Sequence, residues 1–204
     1  NMKTHNAETY GTNVLNAMIG KRFNYPKSLY AVQDTLRFFV ANKPNALIVD
    51  FFAGSGTTLH AVNLLNAEDG GHRRCILVTN NEVSADEAKT LSAQGYQPGD
   101  PEWEQYGIAR YVTWPRTVCS IEGHDVNGKP LKGDYITSGE EPMHMADGFK
   151  ANAAFFKLGF LDKNAVALGR QFKELLPVLW LKAGAHGPCP SLEEAAEMPA
   201  MLVL

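Results

Sequence analysis

The sequence predicts an α/β fold, and two neighbouring segments carry that prediction. An apolar run at residues 46–49 ends in Asp50 and leads through two glycines into a segment with helical spacing. A second apolar run, residues 75–79, follows this helix. Short apolar runs that alternate with helices are typical of buried strands in such a fold. We therefore expect a sheet with helices packed on it.

The turn after the first strand is typical of a site for anionic or nucleotide-like ligands. Its sequence, D-F-F-A-G-S-G-T-T over residues 50–58, has glycines where the backbone must turn sharply and approach a ligand closely. Backbone N–H groups at the helix start, about residues 56–58, lack partners within the helix and attract anions. An ordinary strand-to-helix turn is the alternative.

Two common nucleotide motifs do not fit this turn. The dinucleotide pattern G-x-G-x-x-G requires a third glycine at position 59, where the chain has Leu59. The phosphate loop G-x-x-x-x-G-K-[ST] is also absent from the sequence. A nicotinamide oxidoreductase fragment is therefore disfavoured, although it stays an alternative.

The whole string at residues 50–58 closely resembles the S-adenosylmethionine-binding turn of the amino-methyltransferases, which methylate exocyclic amines of adenine or cytosine in DNA. A second segment, from Gly11 to Ser28, resembles the part that precedes this turn in a circularly permuted class of the family. In the family it forms part of the cofactor wall. The resemblance implies a partial Rossmann-like methyltransferase sheet, here with an inserted β-hairpin and a C-terminal helical extension.

The resemblance and the chemistry of S-adenosylmethionine assign the candidate contacts. The helix start suits the carboxylate of the cofactor, and Asp50 suits its ammonium group. Phe52 and Glu82 suit the adenosine, because ribose hydroxyls donate to an acid after the second strand. Asn80 and Asn81 are lesser candidates for the ribose acceptor. The alternatives are that Asp50 is a structural acid of the turn and that Glu82 is a solvated loop acid. The predicted cofactor-binding residues are Tyr25, Pro26, Lys27, Ser28, Asp50, Phe52, Ala53, Gly54, Ser55, Gly56, Thr57, Thr58, Asn80 and Glu82.

The catalytic motif of the family is missing from the chain. These enzymes use an acidic or amide residue followed by two prolines and an aromatic residue, which holds the amine and stacks the flipped base. The nearest match, residues 100–103, reads D-P-E-W and lacks the second proline. In the permuted class the catalytic half comes first and the cofactor half last. We therefore expect no catalytic residue here and no activity alone, with the remaining methyltransferase half, DNA and a restriction subunit as partners.

The helices follow from apolar spacing and capping residues. They are predicted at residues 9–20, at residues 29–40 after a Ser28 cap, at residues 57–67, and at residues 84–94 with Ser84 as cap. A third strand is predicted at residues 107–116, where Arg110 and Arg116 either face DNA or pair with nearby acids.

The chain is predicted to divide into a cofactor-binding part, residues 1–116, and an extension, residues 117–204. Asn127-Gly128 predicts an exposed hairpin within residues 118–136. Further predictions are a strand at residues 148–160, a helix at residues 164–183 that Pro177 kinks or splits, and a short acidic helix from Ser191.

Composition restricts the function. The 204-residue chain is 45% hydrophobic and carries a formal net charge of −3, whereas a free-standing duplex-DNA binder usually has a basic surplus. Three scattered cysteines without C-x-x-C spacing predict a reduced, cytoplasmic setting. The six histidines lack metal-ligand spacing, so we expect surface histidines and no metal.

The ends of the sequence have unusual features. Asn1 precedes Met2, and residues 201–204 form an apolar tail, so we expect a chain cut at both ends. Two functions from different classes remain beside the disfavoured oxidoreductase. The first is the S-adenosylmethionine-binding portion of a site-specific DNA methyltransferase, with adenine as the favoured base. The alternative is a non-catalytic interaction module on a methyltransferase-like fold.

Overall fold

A computed structural model of the chain describes residues 2–139, 141–167, 171–185, 187, 189–191 and 193. The chain forms two compact units, Asn1–Phe155 and Phe156–Leu204. Helices and short strands are mixed in the first unit, in agreement with the predicted α/β class. Across the described ranges, no helix has the length and apolar character that crossing a membrane requires.

The first unit is built around a parallel pair of strands and the helix that connects them. Leu47 pairs with Arg74 and Asp50 with Leu77, and a parallel pair needs such a crossover helix. The elements of the unit are α1 (Asn13–Ile19), α2 (Leu29–Val40), β1 (Leu47–Asp50), α3 (Thr57–Asp69), β2 (Arg74–Leu77), α4 (Ala85–Ala93), α5 (Pro101–Glu104), α6 (Trp114–Glu122), β3 (Asp134–Tyr135) and β4 (Met143–His144). A π-helical segment, Glu8–Thr12, leads into α1, and another, Ala109–Thr113, leads into α6.

The two predicted serine caps are confirmed. The Ser28 hydroxyl accepts a hydrogen bond from the Ala31 N–H at 3.4 Å, and the Ser84 hydroxyl accepts one from the Glu87 N–H at 3.4 Å. Each bond satisfies an N–H group that has no partner within its helix. These caps fix where α2 and α4 begin.

The core of the unit lies where α1, α2, α3 and α6 meet the segment of residues 131–149. Helix α2 packs against α3, and α1 packs against α6. The buried apolar cluster contains Leu15, Met18, Ile19, Leu29, Tyr30, Ala61, Leu64, Val112, Cys119, Leu131, Tyr135, Met145 and Phe149. Ala61 and Leu64 bring the middle of the connecting helix α3 into this cluster.

The predicted third strand, residues 107–116, is wrong, because this segment is helical through Ala109–Thr113 and α6. Its β-branched and aromatic residues favour a strand locally. However, Ala109, Val112 and Arg116 are all buried, and their spacing of three and four residues matches one face of a helix. Tertiary packing of this face outweighs the local strand preference. The boundary predicted after residue 116 falls inside α6, and the division into functional parts stays a prediction.

The region after α6 differs from the prediction in two ways. The Asn127-Gly128 turn is present, with one antiparallel bridge between His124 and Pro130, but the hairpin is not fully exposed, since Leu131 is buried. The strand predicted at residues 148–160 is wrong: this segment forms no strand. Its aromatic residues suggested a strand, yet no neighbouring strand pairs with it.

The second unit contains α7 (Lys163–Ala167) and α8 (Phe172–Lys182). Pro177 lies inside α8, so the predicted split at this proline is wrong, and the predicted kink stays a prediction. The acidic helix predicted from Ser191 lies almost entirely outside the described residues.

Candidate functional site

The strand, turn and helix predicted at residues 50–58 are confirmed. Strand β1 ends at Asp50 and α3 begins at Thr57. Gly54 and Gly56 have φ angles of +52° and +76°, which residues with a Cβ rarely adopt. The Gly56 N–H donates to the Ala53 carbonyl at 2.8 Å, so this N–H is used within the turn.

The start of α3 keeps free donors. Within the described part of the chain, no acceptor is found for the backbone N–H groups of Thr57 and Thr58. These groups and the dipole of the 13-residue helix place partial positive charge at the turn. The turn can therefore bind an anionic group.

Asp50 is held by the turn itself. Its Oδ1 accepts from the Phe52 N–H at 3.0 Å, and its Oδ2 accepts from the Thr58 hydroxyl at 2.6 Å. These bonds agree with the alternative interpretation, in which Asp50 is a structural acid of the turn. The side chain is only partly buried, so a further contact with a ligand cation remains a prediction.

A buried arginine from α6 supports the turn from inside. Arg116 is 0% exposed. Its Nη1 donates to the Thr57 hydroxyl at 2.7 Å, the Ser55 hydroxyl at 3.1 Å and the Ser55 carbonyl at 3.3 Å. Burial lowers the pKa of its guanidinium to about 10, so the group remains charged at neutral pH. The expectation that Arg116 faces DNA or pairs with an acid is wrong, since its described acceptors are neutral.

His60 extends this network into the core. Nη2 of Arg116 lies 3.4 Å from Nδ1 of His60 and carries only hydrogens, so Nδ1 accepts. The proton then sits on Nε2, which donates to the Tyr135 hydroxyl at 2.9 Å. Burial, and then the charge of Arg116, hold the pKa of His60 well below its ordinary value. The prediction of a surface histidine is wrong at this position.

Thr113, the last residue of the π-helical segment before α6, also contacts the glycines of the turn. The Thr113 hydroxyl donates to the Gly54 carbonyl at 2.6 Å. A Cβ added to Gly56 would lie 3.3 Å from Cγ2 of Thr113. The glycine at position 56 is thus required both by its backbone angle and by the close approach of Thr113.

A cavity of about 220 Å³ opens between the end of β2 and the segment that leads into α6. It includes Glu82, the predicted ribose acceptor, whereas Phe52 is 86% exposed and does not line it. Its lining residues are Arg22, Phe23, Glu82, Val83, Ser84, Glu87, Tyr106, Ile108, Tyr111 and Val112. The aromatic residues among them were not predicted as site residues, because nothing in their neighbours along the chain indicates that these side chains meet.

The segment of residues 25–28 packs against the helix that precedes it. A Cβ added to Gly11 would lie 2.5 Å from the Pro26 carbonyl oxygen, so only glycine fits there. Pro26 and Ser28 are buried, whereas Lys27 is exposed and Tyr25 is 92% exposed with a φ of +56°.

Phe23 and the loop after β2 lie between the cavity and the elements around it. Phe23 Cζ would lie 3.9 Å from a Cβ added to Gly54, which brings the N-terminal segment to the turn. Asn81 donates to the Glu104 carbonyl at 2.8 Å and accepts from the Arg110 N–H at 3.3 Å, so its side chain has a structural role. Asn80 is exposed.

Fold and site together define an α/β chain with a glycine turn at the start of a helix and a cavity beside it. No family model matches the chain. It is 38% identical over 183 residues to the Type III restriction-modification enzyme StyLTI Mod subunit of Salmonella typhimurium, covering 80% of this chain and 27% of that protein. It is 45% identical over 71 residues to the Type II methyltransferase M.KpnI of Klebsiella pneumoniae, covering 34% of this chain and 16% of that protein.

A third relative is the Type III restriction-modification enzyme EcoPI Mod subunit of Escherichia phage P1, with 34% identity over 93 residues, 46% of this chain and 14% of that protein. The chain is thus a homologue of the DNA methyltransferases of restriction–modification systems, as the resemblance implied. Its matches span between 14% and 27% of the lengths of these relatives.

Proposed function

We propose that this chain is the S-adenosylmethionine-binding portion of a DNA methyltransferase that modifies an exocyclic base amine, with adenine as the favoured base. The observation that carries the proposal is the turn at residues 50–58, which combines free N–H donors at Thr57 and Thr58 with a carboxylate at Asp50. S-adenosylmethionine has a carboxylate and an ammonium group on one carbon. A turn with both charges nearby matches that zwitterion.

The cavity beside the turn supplies the second part of the proposed site. Phe23, Tyr106 and Tyr111 offer apolar surface for an adenine ring, and Glu82 offers an acceptor for ribose hydroxyls. In this proposal the segment with Tyr25 and Lys27 forms a wall of the site. Phe52 acts as an outer contact of the adenosine, because most of its ring is exposed.

The uncovered face of the β1–β2 sheet supports a missing methyltransferase half as the partner. Leu47, Val49, Ile76 and Val78 alternate with inward residues and remain 50%, 45%, 49% and 43% exposed. Apolar residues on one strand face normally pack against another layer. Since the relatives are several times longer than the matched segment, we assign this face to the rest of the methyltransferase chain.

The catalytic motif and the main DNA contacts belong to that missing half in this proposal. The sequence contains no Asp, Asn or Ser followed by two prolines, and its net charge is −3. Two relatives are named Mod subunits of Type III restriction-modification enzymes. We therefore include a restriction subunit among the proposed partners of the complete enzyme.

Titration calorimetry with S-adenosylmethionine and with NAD tests the proposal. We expect heat of binding with S-adenosylmethionine alone, because Leu59 stands where a dinucleotide site needs glycine. Binding of NAD alone would support the oxidoreductase instead. Binding of neither would favour the non-catalytic interaction module.

A methyl-transfer assay tests whether the catalytic motif belongs to another polypeptide. The chain alone is expected to transfer no labelled methyl groups to DNA, whereas transfer should appear when a polypeptide with the catalytic Pro-Pro motif is added. The matched control is the same mixture with Gly56→Val in this chain, which blocks the turn. Transfer by the chain alone would contradict the proposal.

A further inference from the structure

Arg116 is a buried charge with no described anionic partner. Its acceptors are the Ser55 carbonyl, two hydroxyls and the His60 ring, and the described residues offer no hydrogen-bond partner for its Nε. In the described part of the chain, no carboxylate forms an ion pair with it. Buried charges are normally paired, because desolvation of an ion is costly. A buried guanidinium without a described carboxylate partner points to an anion that binds from outside the chain.

The position of the guanidinium indicates where that anion binds. Ser55 and Thr57, which both accept from Nη1, stand on either side of Gly56 at the start of α3. The free N–H groups of Thr57 and Thr58 lie at the same helix start. The charge of Arg116 and the partial charge of the helix therefore add together, and the low dielectric of the interior screens them weakly.

The charge on the other side of the turn restricts the class of anion. The Asp50 carboxylate is bonded to Thr58, one residue from Thr57, and would repel a phosphate with two negative charges. An α-amino acid group, with one carboxylate and one ammonium, is compatible with both Asp50 and Arg116. The two side chains select a zwitterion rather than a simple anion.

We infer that Arg116 is a positioning residue for the ligand of the turn: it fixes Ser55 and Thr57, and its charge attracts the carboxylate of the ligand through the turn without touching it. The inference rests on the proposed function, in which that ligand is S-adenosylmethionine. It assigns carboxylate selectivity to a residue that lies outside the glycine turn.

The test measures dissociation constants by NMR titration for S-adenosylmethionine and for decarboxylated S-adenosylmethionine, which differ only in the carboxylate. NMR titration also measures weak binding, as expected for part of a site. The variants are Arg116→Gln, which keeps hydrogen-bond donors without the charge, and Arg116→Lys, which keeps the charge. Thermal unfolding of each variant reports whether it folds.

In the wild-type chain we expect the carboxylated ligand to bind about tenfold more tightly than the decarboxylated one. The weakly screened charge of Arg116 is expected to contribute a Coulomb attraction of that size to the ligand carboxylate. Arg116→Gln should lose about tenfold of this preference while binding the decarboxylated ligand as before. Arg116→Lys should keep most of the preference. A purely structural role would instead weaken both ligands equally in both variants, and this would overturn the inference.

The remaining outcomes separate the inference from the proposed function. Binding of S-adenosylmethionine with no wild-type preference for the carboxylate would overturn the inference alone, even if Arg116→Gln did not fold. Absence of any S-adenosylmethionine binding by the wild-type chain would overturn the proposed function, and the inference with it.

Discussion

The two ends of α3 are each held by a buried arginine, but the two arginines are satisfied differently. At the C-terminal end, Arg73 donates to both oxygens of Asp69 at 2.9 Å and to the Val40 carbonyl at 2.9 Å. At the N-terminal end, the acceptors found for Arg116 among the described residues are all neutral. The first arrangement satisfies its charge within the fold. The second leaves a positive charge without such a partner, and in our inference this charge serves a ligand, so the same residue type would stabilise one end and prepare the other for binding.

The largest expected effect is on stability at the C-terminal end. Arg73→Met should lower the free energy of unfolding by about 2–4 kcal/mol, because Asp69 and the last carbonyls of α2 lose their donor. Arg116→Gln should cost about 1 kcal/mol, because it also removes a desolvated charge. Urea unfolding measures both. The control is Arg74→Met at an exposed site, expected within about 0.5 kcal/mol of wild type. A larger loss at position 116 than at position 73 would contradict the comparison.

A second pair of variants compares the glycines at the two ends. Gly56 and Gly70 have similar φ angles of +76° and +70°, but only Gly56 has atoms near its missing Cβ. Gly70→Ala should cost about 1 kcal/mol from the left-handed backbone. Gly56→Ala should cost about 2–3 kcal/mol, because the methyl group also crowds Thr113. Unfolding midpoints that fall equally would show that Thr113 can move away from the turn.

The smallest expected effect is a difference in pH dependence between the ends. The pKa of buried His60 lies well below its ordinary value of 6.5, so the unfolded chain gains a proton first as the pH falls below about 6.5. Stability should then decrease with a slope of up to about 1.4 kcal/mol per pH unit. Asp69, whose pKa Arg73 lowers from 3.8, contributes stability that is lost only below that value.

Unfolding curves measured between pH 7 and pH 5 check this difference. His60→Gln should remove most of the decrease in that range, while Asp69→Asn should leave it unchanged. The pKa of His124 is raised by Asp125 and Glu122, and the pKa of His144 is raised by Asp134. These two histidines therefore stabilise the fold as the pH falls, and their contribution is the same in all variants. A slope that persists in His60→Gln would refute the assignment to His60.

The sequence predicted the elements whose causes are local. The turn at residues 50–58 follows from an apolar run, two glycines and a helix start, and Ser28 and Ser84 cap the helices that follow them. These features depend on neighbouring residues, so no knowledge of the tertiary structure is needed.

The parts that were missed depend on contacts between distant residues. The segment of residues 107–116 has strand-forming residues, but it continues into α6, which packs against α1 and α3. His60 was expected at the surface, because titratable residues usually lie there, and Arg116 was expected to face DNA or to pair with a nearby acid. Their burial depends on partners as far as 75 residues away along the chain, as Tyr135 is from His60, and no local pattern predicts such pairs.

The uncovered sheet face also has a consequence for the self-association of the isolated chain. Among the described strands, β1 pairs only with β2, so the other edge of β1 keeps unpaired backbone groups beside the exposed side chains of Leu47 and Val49. An open edge next to an apolar surface promotes strand-to-strand self-association. Co-expression with the complementary polypeptide, or dilute samples monitored by light scattering, should therefore keep the chain monodisperse.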